Sequence, residues 1–218
     1  VKADKQQDIL DKIVDIASKL SMESIQVLTP VKKGTLGSAN LNDRLQQAFN
    51  PAGEDKAQLE FGSRVFRVGD RVMQIRNDYR LEYRVQRSTP GQFDSRTDGD
   101  TGKGVFNGEI GVIKGVDTEM RTVTVLYDDQ RWVEYSYVQL DEIEPAYAIT
   151  VHKSQGSEFP TVIIPMTWFP PALATRSLLY TAVTRGKKQV IIVGNPGYLE
   201  KMTANNQSRS RNSGLKER

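Results

Sequence analysis

The sequence has no cysteine and only one histidine, His152, among its 218 residues. Without cysteine the chain forms no disulfide and offers no thiolate ligand to a metal. Structural zinc sites need several cysteine or histidine ligands, so a single histidine argues strongly against one. We therefore expect no metal site, and the lack of cysteine fits a reducing compartment.

Long hydrophobic runs are also missing. No apolar stretch approaches the roughly 18 residues of a membrane-spanning helix. The polar start, Val-Lys-Ala-Asp-Lys-Gln-Gln-Asp, lacks the apolar core of a signal peptide. A composition of 38% hydrophobic and 26% charged residues predicts a soluble globular protein with no membrane partner. A start at Val1 rather than at methionine suggests a piece of a longer protein.

A complete Walker phosphate loop is the third absence. Residues 31–37, Val-Lys-Lys-Gly-Thr-Leu-Gly, lie between an apolar stretch and a helical pattern, where α/β proteins place ligands. They lack the spacing G-x-x-x-x-G-K-[ST], and no other part of the sequence supplies it. The sequence therefore offers no loop that would cradle the β-phosphate of a nucleotide.

The excess of positive charge is small. The formal net charge is +3, which is compatible with nucleic-acid binding but is weak support for it. Part of this excess lies in residues 208–218, where four basic side chains occur among Ser, Asn and Gly. We expect 205–218 to be a disordered tail rather than a binding patch.

Hydrophobic periodicity predicts an α/β fold with a largely parallel sheet. The expected elements are a helix over 5–20, a strand over 24–29, a helix over 40–49, strands over 148–151 and 161–164, a helix over 176–185 and a strand over 189–194. The last of these strands is almost continuously apolar, as is typical of strands buried on both faces.

A different pattern occupies the middle of the chain. Residues 84–104 are rich in Arg, Ser, Thr, Asp and Gly, and we expect a mobile insertion there. Short alternating strands over 105–145 predict a small β-barrel or meander. Its aromatic side chains either fill the small core, which we favour for each one singly, or stack on bases; they are Tyr127, Trp132, Tyr135 and Tyr137.

The polar segment between two apolar runs, within 147–165, is the strongest candidate for a site. Six successive residues, 153–158, provide donors, one cation and one acid. Phosphate, ribose and nucleic-acid backbones offer many acceptors and need such donors. From the residues alone, a binding segment and a plain polar connection remain equally open.

Several motifs resemble those of superfamily 1 helicases. Ala148-Ile-Thr-Val-His-Lys-Ser-Gln-Gly-Ser-Glu-Phe resembles motif V, and Leu179-Tyr-Thr-Ala-Val-Thr-Arg-Gly-Lys resembles motif VI. Ser24-Ile-Gln-Val-Leu-Thr-Pro-Val-Lys-Lys-Gly, followed by Leu41-Asn-Asp-Arg-Leu-Gln, resembles the motif IV region of the RecD-like branch. Phe66-Arg-Val-Gly-Asp-Arg-Val-Met and Phe106-Asn-Gly-Glu-Ile-Gly resemble the segment that leads into that branch's SH3-like insertion. These blocks cover most of residues 20–200 in the family's order.

The resemblance implies the C-terminal motor domain of a RecD-like superfamily 1 DNA helicase, similar to the exodeoxyribonuclease V alpha subunit. The implied fold is a RecA-like parallel-sheet domain of the P-loop NTPase type, carrying an SH3-like β-barrel. The expected boundaries are 1–83 and 146–204 for the RecA-like domain, 84–104 for the polar insertion, 105–145 for the barrel and 205–218 for the tail. The parent would be a bacterial cytoplasmic enzyme of DNA recombination and repair, typically unwinding 5′ to 3′.

The same resemblance implies roles for single residues. Arg185 would be the catalytic arginine finger on the γ-phosphate of ATP, because a guanidinium fork suits a charge spread over several oxygens. Glu158 would accept from the ribose hydroxyls, and Gly156 would allow close backbone approach. Gln155 would lie between the nucleotide and the DNA and belong to both sets. The DNA contacts would come from Thr150, His152, Ser154, Gln155, Lys32 and Lys33.

The implied cofactor is ATP with Mg²⁺, held mainly by an N-terminal motor domain that the sequence does not contain. This chain alone would then be inactive. Expected partners are single-stranded DNA, single-strand/double-strand junctions, that N-terminal domain and other recombination-complex subunits. The alternative is a non-catalytic protein- or DNA-interaction module built around the β-barrel. A nuclease is the weakest alternative, because the sequence lacks the clustered carboxylates of two-metal sites.

Overall fold

The structure is a computed structural model that describes residues 1–54, 56–85 and 101–206. Its α-helices are α1 (Gln6–Ser18), α2 (Ser38–Phe49), α3 (Arg176–Val183) and α4 (Pro196–Ala204). Its strands are β1 (Ile25–Thr29), β2 (Gln58–Phe61), β3 (Arg64–Arg67), β4 (Arg71–Gln74), β5 (Asp78–Val85), β6 (Thr101–Val105), β7 (Ile110–Asp117), β8 (Thr122–Tyr127), β9 (Arg131–Ser136), β10 (Ile143–Pro145), β11 (Ala148–Thr150), β12 (Phe159–Met166) and β13 (Gly186–Gly194). Short 3₁₀ helices occupy Met22–Ser24, Tyr137–Glu142 and Val151–Ser154.

The chain divides into two compact units. The parallel-sheet unit comprises Val1–Leu41 and the chain from Ile149 onward, and the antiparallel unit comprises Asn42–Ala148. The expected barrel boundary at residue 105 thus differs from the structure, because β4 and β5 lie in the same sheet as β7, β8 and β9. Membership of this sheet depends on pairing with distant strands, since β4 pairs with β7 and β10 and β5 pairs with β6 and β9.

The parallel-sheet unit contains a four-stranded sheet in the order β11-β1-β12-β13. β1 and β13 each run parallel to β12, with Ile25 beside Thr161 and Val190 beside Val162. All five residues of β1 are buried, including the polar Gln26 and Thr29. α1 packs on β12 and β13 through Ile9, Leu10, Ile13 and Ala17, which share one helical face. The expected α/β class and parallel sheet are confirmed.

The antiparallel unit contains a seven-stranded sheet in the order β10-β4-β7-β8-β9-β5-β6 and a separate β2-β3 pair. Tyr127 and Tyr135 are buried in its core, and their hydroxyls lie 2.6 Å apart. The Tyr135 hydroxyl also donates to Gln74 Oε1 at 2.8 Å. The core interpretation of these two tyrosines is therefore confirmed, whereas Trp132 and Tyr137 are half-buried.

A buried polar cluster ties α2 to the strands of the antiparallel unit. The Asp70 carboxylate is fully buried and accepts from Gln46 Nε2 at 2.6 Å, Asn50 Nδ2 at 2.7 Å, the Arg67 backbone N–H at 2.7 Å and Tyr147 Oη at 2.8 Å. Burial and then the adjacent Asp70 charge raise the pKa of Tyr147, so its hydroxyl stays a donor. These contacts satisfy a carboxylate that would otherwise be costly to bury.

Some expected elements fall outside the described residues or differ in extent. The mobile insertion expected over 84–104 lies mostly outside them, and its two ends belong to β5 and β6. Most of the tail expected over 205–218 also lies outside them. The strand expected over 148–151 ends at Thr150, because the chain turns into a 3₁₀ helix at Val151.

Candidate functional site

The segment from β11 to β12 makes a compact turn and then an extended approach to β12. Thr150 is extended and precedes the 3₁₀ helix Val151–Ser154. The turn is closed by the Gln155 N–H, which donates to the His152 carbonyl at 3.4 Å, and by the Ser157 N–H, which donates to the Ser154 carbonyl at 3.1 Å. These local hydrogen bonds give the polar segment a defined backbone path.

Gly156 is required by the backbone conformation of this segment. Its φ is +86°, in the left-handed region that favours glycine. A Cβ built at this position would meet no atom within 4 Å among the described residues. The glycine therefore serves the turn itself, and the space beside it is open.

Ser154 departs from its expected role as a DNA contact. Its side chain is fully buried, and its hydroxyl donates to the Val151 carbonyl at 2.7 Å. A hydroxyl that is buried and already engaged cannot reach an external phosphate. Ser154 therefore closes the turn rather than facing solvent. His152, Gln155 and Glu158 are exposed, and Thr150 is half-buried.

Arg185 is held against the polar segment by several hydrogen bonds. It follows Thr184, the C-cap of α3, and donates from Nη1 to the Ser157 carbonyl at 3.0 Å and from Nε to the Thr181 carbonyl at 3.3 Å. Its own carbonyl accepts from the Phe159 N–H at 2.8 Å. The motif VI arginine and the end of the motif V segment are thus joined in both directions.

Glu158 lies at the same place and faces a basic side chain of β13. Its Oε2 is 3.1 Å from Lys187 Nζ, and the two side chains are 55% and 58% exposed. Phe159 lies beside Gly186 in the parallel sheet. Glu158, just before Phe159, and Lys187, just after Gly186, are therefore close enough to form the ion pair. Lys187 was not among the site residues predicted from the sequence. Its position two residues after Arg185 was the signal that could have identified it.

Strand direction separates Lys32 and Lys33 from this group. Both lysines are exposed and follow the carboxyl end of β1, whereas Glu158 and Arg185 precede the amino ends of β12 and β13. Because β1, β12 and β13 are parallel, these positions fall at opposite edges of the sheet. The structure therefore brings Glu158, Arg185 and Lys187 together and leaves the two lysines apart from them.

Two family models match separate segments of the chain. Residues 41–127 match the family model described as the ATP-dependent RecD-like DNA helicase SH3 domain, and residues 145–193 match the UvrD-like helicase C-terminal domain. Both matched segments are thus similar to parts of RecD-like and related DNA helicases. The expected SH3-like domain and the resemblance to the RecD-like branch are thereby confirmed.

Among the curated relatives of this RecD-like chain is the ATP-dependent RecD2 DNA helicase of Deinococcus radiodurans, which is 33% identical over 89% of the chain and 23% of the relative. The RecBCD enzyme subunit RecD of Mycobacterium tuberculosis is 36% identical over 56% of the chain and 20% of the relative. Among solved structures, a Bacteroides Pif1 helicase in complex with ADP-AlF3 and ssDNA aligns with a TM-score of 0.48 at 19% identity, over 85% of this chain and 44% of that one. The chain spans about a quarter or less of the length of these two curated relatives.

Two further observations concern the described part of this RecD-like chain. In residues 1–54, 56–85 and 101–206, no group of three or more His, Cys, Asp or Glu side chains is placed to hold a metal ion. Over the same residues, none of the helices has the length and apolar character needed to span a bilayer.

Proposed function

We propose that this chain is the DNA-tracking and ATP-sensing part of an ATP-dependent DNA helicase that unwinds 5′ to 3′. The observation that carries the proposal is the pair of hydrogen bonds joining Arg185 to the segment at Ser157 and Phe159. These hydrogen bonds join the motif V and motif VI matches, so a ligand that binds one motif can shift the position of the other. The names of the relatives, an ATP-dependent DNA helicase among them, support the same reaction.

In this proposal Arg185 is the arginine finger. The guanidinium is half-buried and its contacts are to neutral acceptors, two main-chain carbonyls and, at 3.5 Å, the Thr184 hydroxyl. A γ-phosphate carries more negative charge than these acceptors and competes for the same fork, because charge-assisted hydrogen bonds are the stronger ones. Arg185 therefore supplies positive charge to the transferring phosphoryl group when ATP is bound.

The nucleotide itself is held mainly by another motor domain. ATP with Mg²⁺ binds there, because this sequence supplies no Walker loop. Glu158 accepts from the ribose hydroxyls, Gly156 leaves open space beside the backbone, and Gln155 lies between nucleotide and DNA. On this proposal the isolated chain does not hydrolyse ATP.

Single-stranded DNA follows the first half of the polar segment. Thr150 and His152 contact its phosphates, which positions the strand without reading its sequence. Lys32 and Lys33, at the opposite sheet edge from Arg185, add charge for the DNA rather than for the nucleotide. Ser154 is left out because its hydroxyl is buried. The wider partners are single-strand/double-strand junctions, the other motor domain and recombination-complex subunits, in the bacterial cytoplasm.

The decisive experiment replaces Arg185 in the full-length protein that carries this chain. Arg185→Ala is expected to lower DNA-stimulated ATP turnover by about 10³- to 10⁵-fold, the range for arginine fingers, while single-stranded DNA binding changes little. Arg176→Ala is the matched control, because Arg176 is an exposed arginine of the same helix α3 whose side chain bonds Asn206. Turnover of the Arg185 variant equal to that of the control would refute the finger.

A second function is favoured by one feature of the antiparallel unit. Met120 and Val138 are 75% and 77% exposed, and exposed apolar side chains of this size are common in protein interfaces. The second candidate is therefore a non-catalytic interaction module. It predicts normal ATP turnover in the Arg185→Ala protein, so the same experiment separates the two functions.

A further inference from the structure

Lys187 is the last residue of the motif VI match, and the resemblance assigns it no role. It lies at the start of β13, and its Nζ is 3.1 Å from Glu158 Oε2. The Glu158–Lys187 ion pair involves one of the two carboxylate oxygens. Since an ionised carboxylate has about four acceptor positions, the other oxygen stays available to a hydroxyl donor.

The position of Lys187 is fixed by the sheet rather than by the ion pair. Phe159 pairs with Gly186 and Thr161 with Gln189, so a register shift places Lys187 and Lys188 opposite Pro160. Glu158 and Lys187 directly flank the Phe159–Gly186 pair, which keeps their backbones close. The Arg185 carbonyl strengthens this junction by accepting from the Phe159 N–H at 2.8 Å. Lys187 is therefore a permanent neighbour of Glu158, and its amine restricts the rotamers of a side chain that is otherwise exposed.

We infer that Lys187 is a positioning residue that holds Glu158 ready to accept from the ribose hydroxyls of a bound nucleotide. The inference rests on the proposed function, because it assumes that Glu158 faces the ribose. A free glutamate loses rotamer freedom when it binds a ligand, and a side chain already held loses less. Lys187 thus contributes to nucleotide affinity without touching the nucleotide.

This role makes a specific kinetic prediction. A ribose contact made equally in the ground state and the transition state affects KM and leaves kcat unchanged. Lys187→Gln in the full-length protein is expected to raise KM for ATP by about two- to fivefold, the range of an exposed ion pair. With 2′,3′-dideoxyATP, which has no ribose hydroxyl for Glu158 to accept from, the same variant is expected to show no change in KM.

The control is the next residue. Lys188 is equally basic and exposed, and among the residues that the structure describes it has no ion pair, so Lys188→Gln removes the same charge without touching Glu158. It is expected to leave KM for both nucleotides unchanged. The double variant Glu158→Ala with Lys187→Gln is expected to match Glu158→Ala alone, because a positioning residue has no effect once its target is gone.

The outcomes separate this inference from the function on which it rests. If Glu158→Ala raises KM equally for ATP and 2′,3′-dideoxyATP, or leaves both KM values unchanged, the ribose role of Glu158 fails. If Glu158→Ala raises KM for ATP alone but Lys187→Gln does not, only the positioning role is overturned. Equal KM increases for both nucleotides in Lys187→Gln would also overturn it, since they would point to a contact with phosphate.

Discussion

The buried Asp70 cluster allows a quantitative test of how the antiparallel unit is held together. Asp70→Asn preserves the shape of the side chain but replaces one carboxylate oxygen with an amide NH₂. Oδ1 accepts from Asn50 and Tyr147, and Oδ2 accepts from Gln46 and the Arg67 N–H. Whichever oxygen is replaced, two donors face a new donor and two hydrogen bonds are lost.

The magnitude follows from the kind of bond. Hydrogen bonds to a charged group contribute about 1.5–3 kcal/mol each, so losing two lowers the free energy of unfolding by about 3–6 kcal/mol. Tyr147→Phe removes a single donor and leaves the carboxylate three, so its cost is about 1.5–3 kcal/mol. Asp141→Asn is the control, because this aspartate is 41% exposed and pairs with Arg76 at the surface, where an ion pair contributes about 0–1 kcal/mol.

The assay is urea unfolding followed by the fluorescence of Trp132. The other tryptophan, Trp168, lies in the parallel-sheet unit and is 58% exposed, so a Trp168→Phe background leaves a reporter only in the antiparallel unit. A loss below about 1 kcal/mol for Asp70→Asn would show that the cluster is not what stabilises this unit.

Two other predictions concern the parallel-sheet unit. Gly194→Ala is expected to destabilise the chain by about 3–5 kcal/mol in thermal or urea unfolding, because its φ is +148° and a Cβ would lie 1.8 Å from the Met166 carbonyl oxygen. Gly53→Ala is the control, because no described atom lies near its Cβ, and it should change stability by about 0.5 kcal/mol or less. Equal losses of stability for the two variants would contradict the packing argument. His152→Ala is expected to weaken single-stranded DNA binding in fluorescence anisotropy titrations, because a hydrogen bond to a phosphate is lost. An unchanged affinity would speak against a phosphate contact.

Much of the parallel-sheet unit is predictable from sequence because its signals are local. α1 shows its buried face in the spacing of Ile9, Leu10 and Ile13, and the apolar sequence of β12 matches its burial. The burial on both faces that we expected for the last strand is wrong, because β13 is the edge strand of its sheet and only Val193 and Gly194 are buried in it. The missed α4 has an Asn195 cap and Pro196 at its first position, but Gly197 weakens its helical pattern. Its start signals were present, and its interior was too short to be recognised.

The antiparallel unit was harder to predict because its strands are short and joined across long sequence distances. β10 pairs with β4, about 70 residues earlier, and neither strand shows its partner in its own sequence. Asp70 follows Gly69 in a turn, where its backbone N–H donates to the Arg67 carbonyl at 3.0 Å. Its burial depends on Gln46 and Asn50 of another element, and no local pattern encodes such a contact.

The sequence by itself determined the resemblance to RecD-like helicases, the parallel strands and the position of the polar segment in the chain, because motif order and hydrophobic period are properties of the chain alone. Only the tertiary structure decided which of the polar residues remain available. It buried the Ser154 hydroxyl in its own turn, placed Lys32 and Lys33 at the opposite sheet edge, and set Lys187 beside Glu158. The physical reason is that exposure and proximity depend on strand direction and register, which are fixed when separate segments pair.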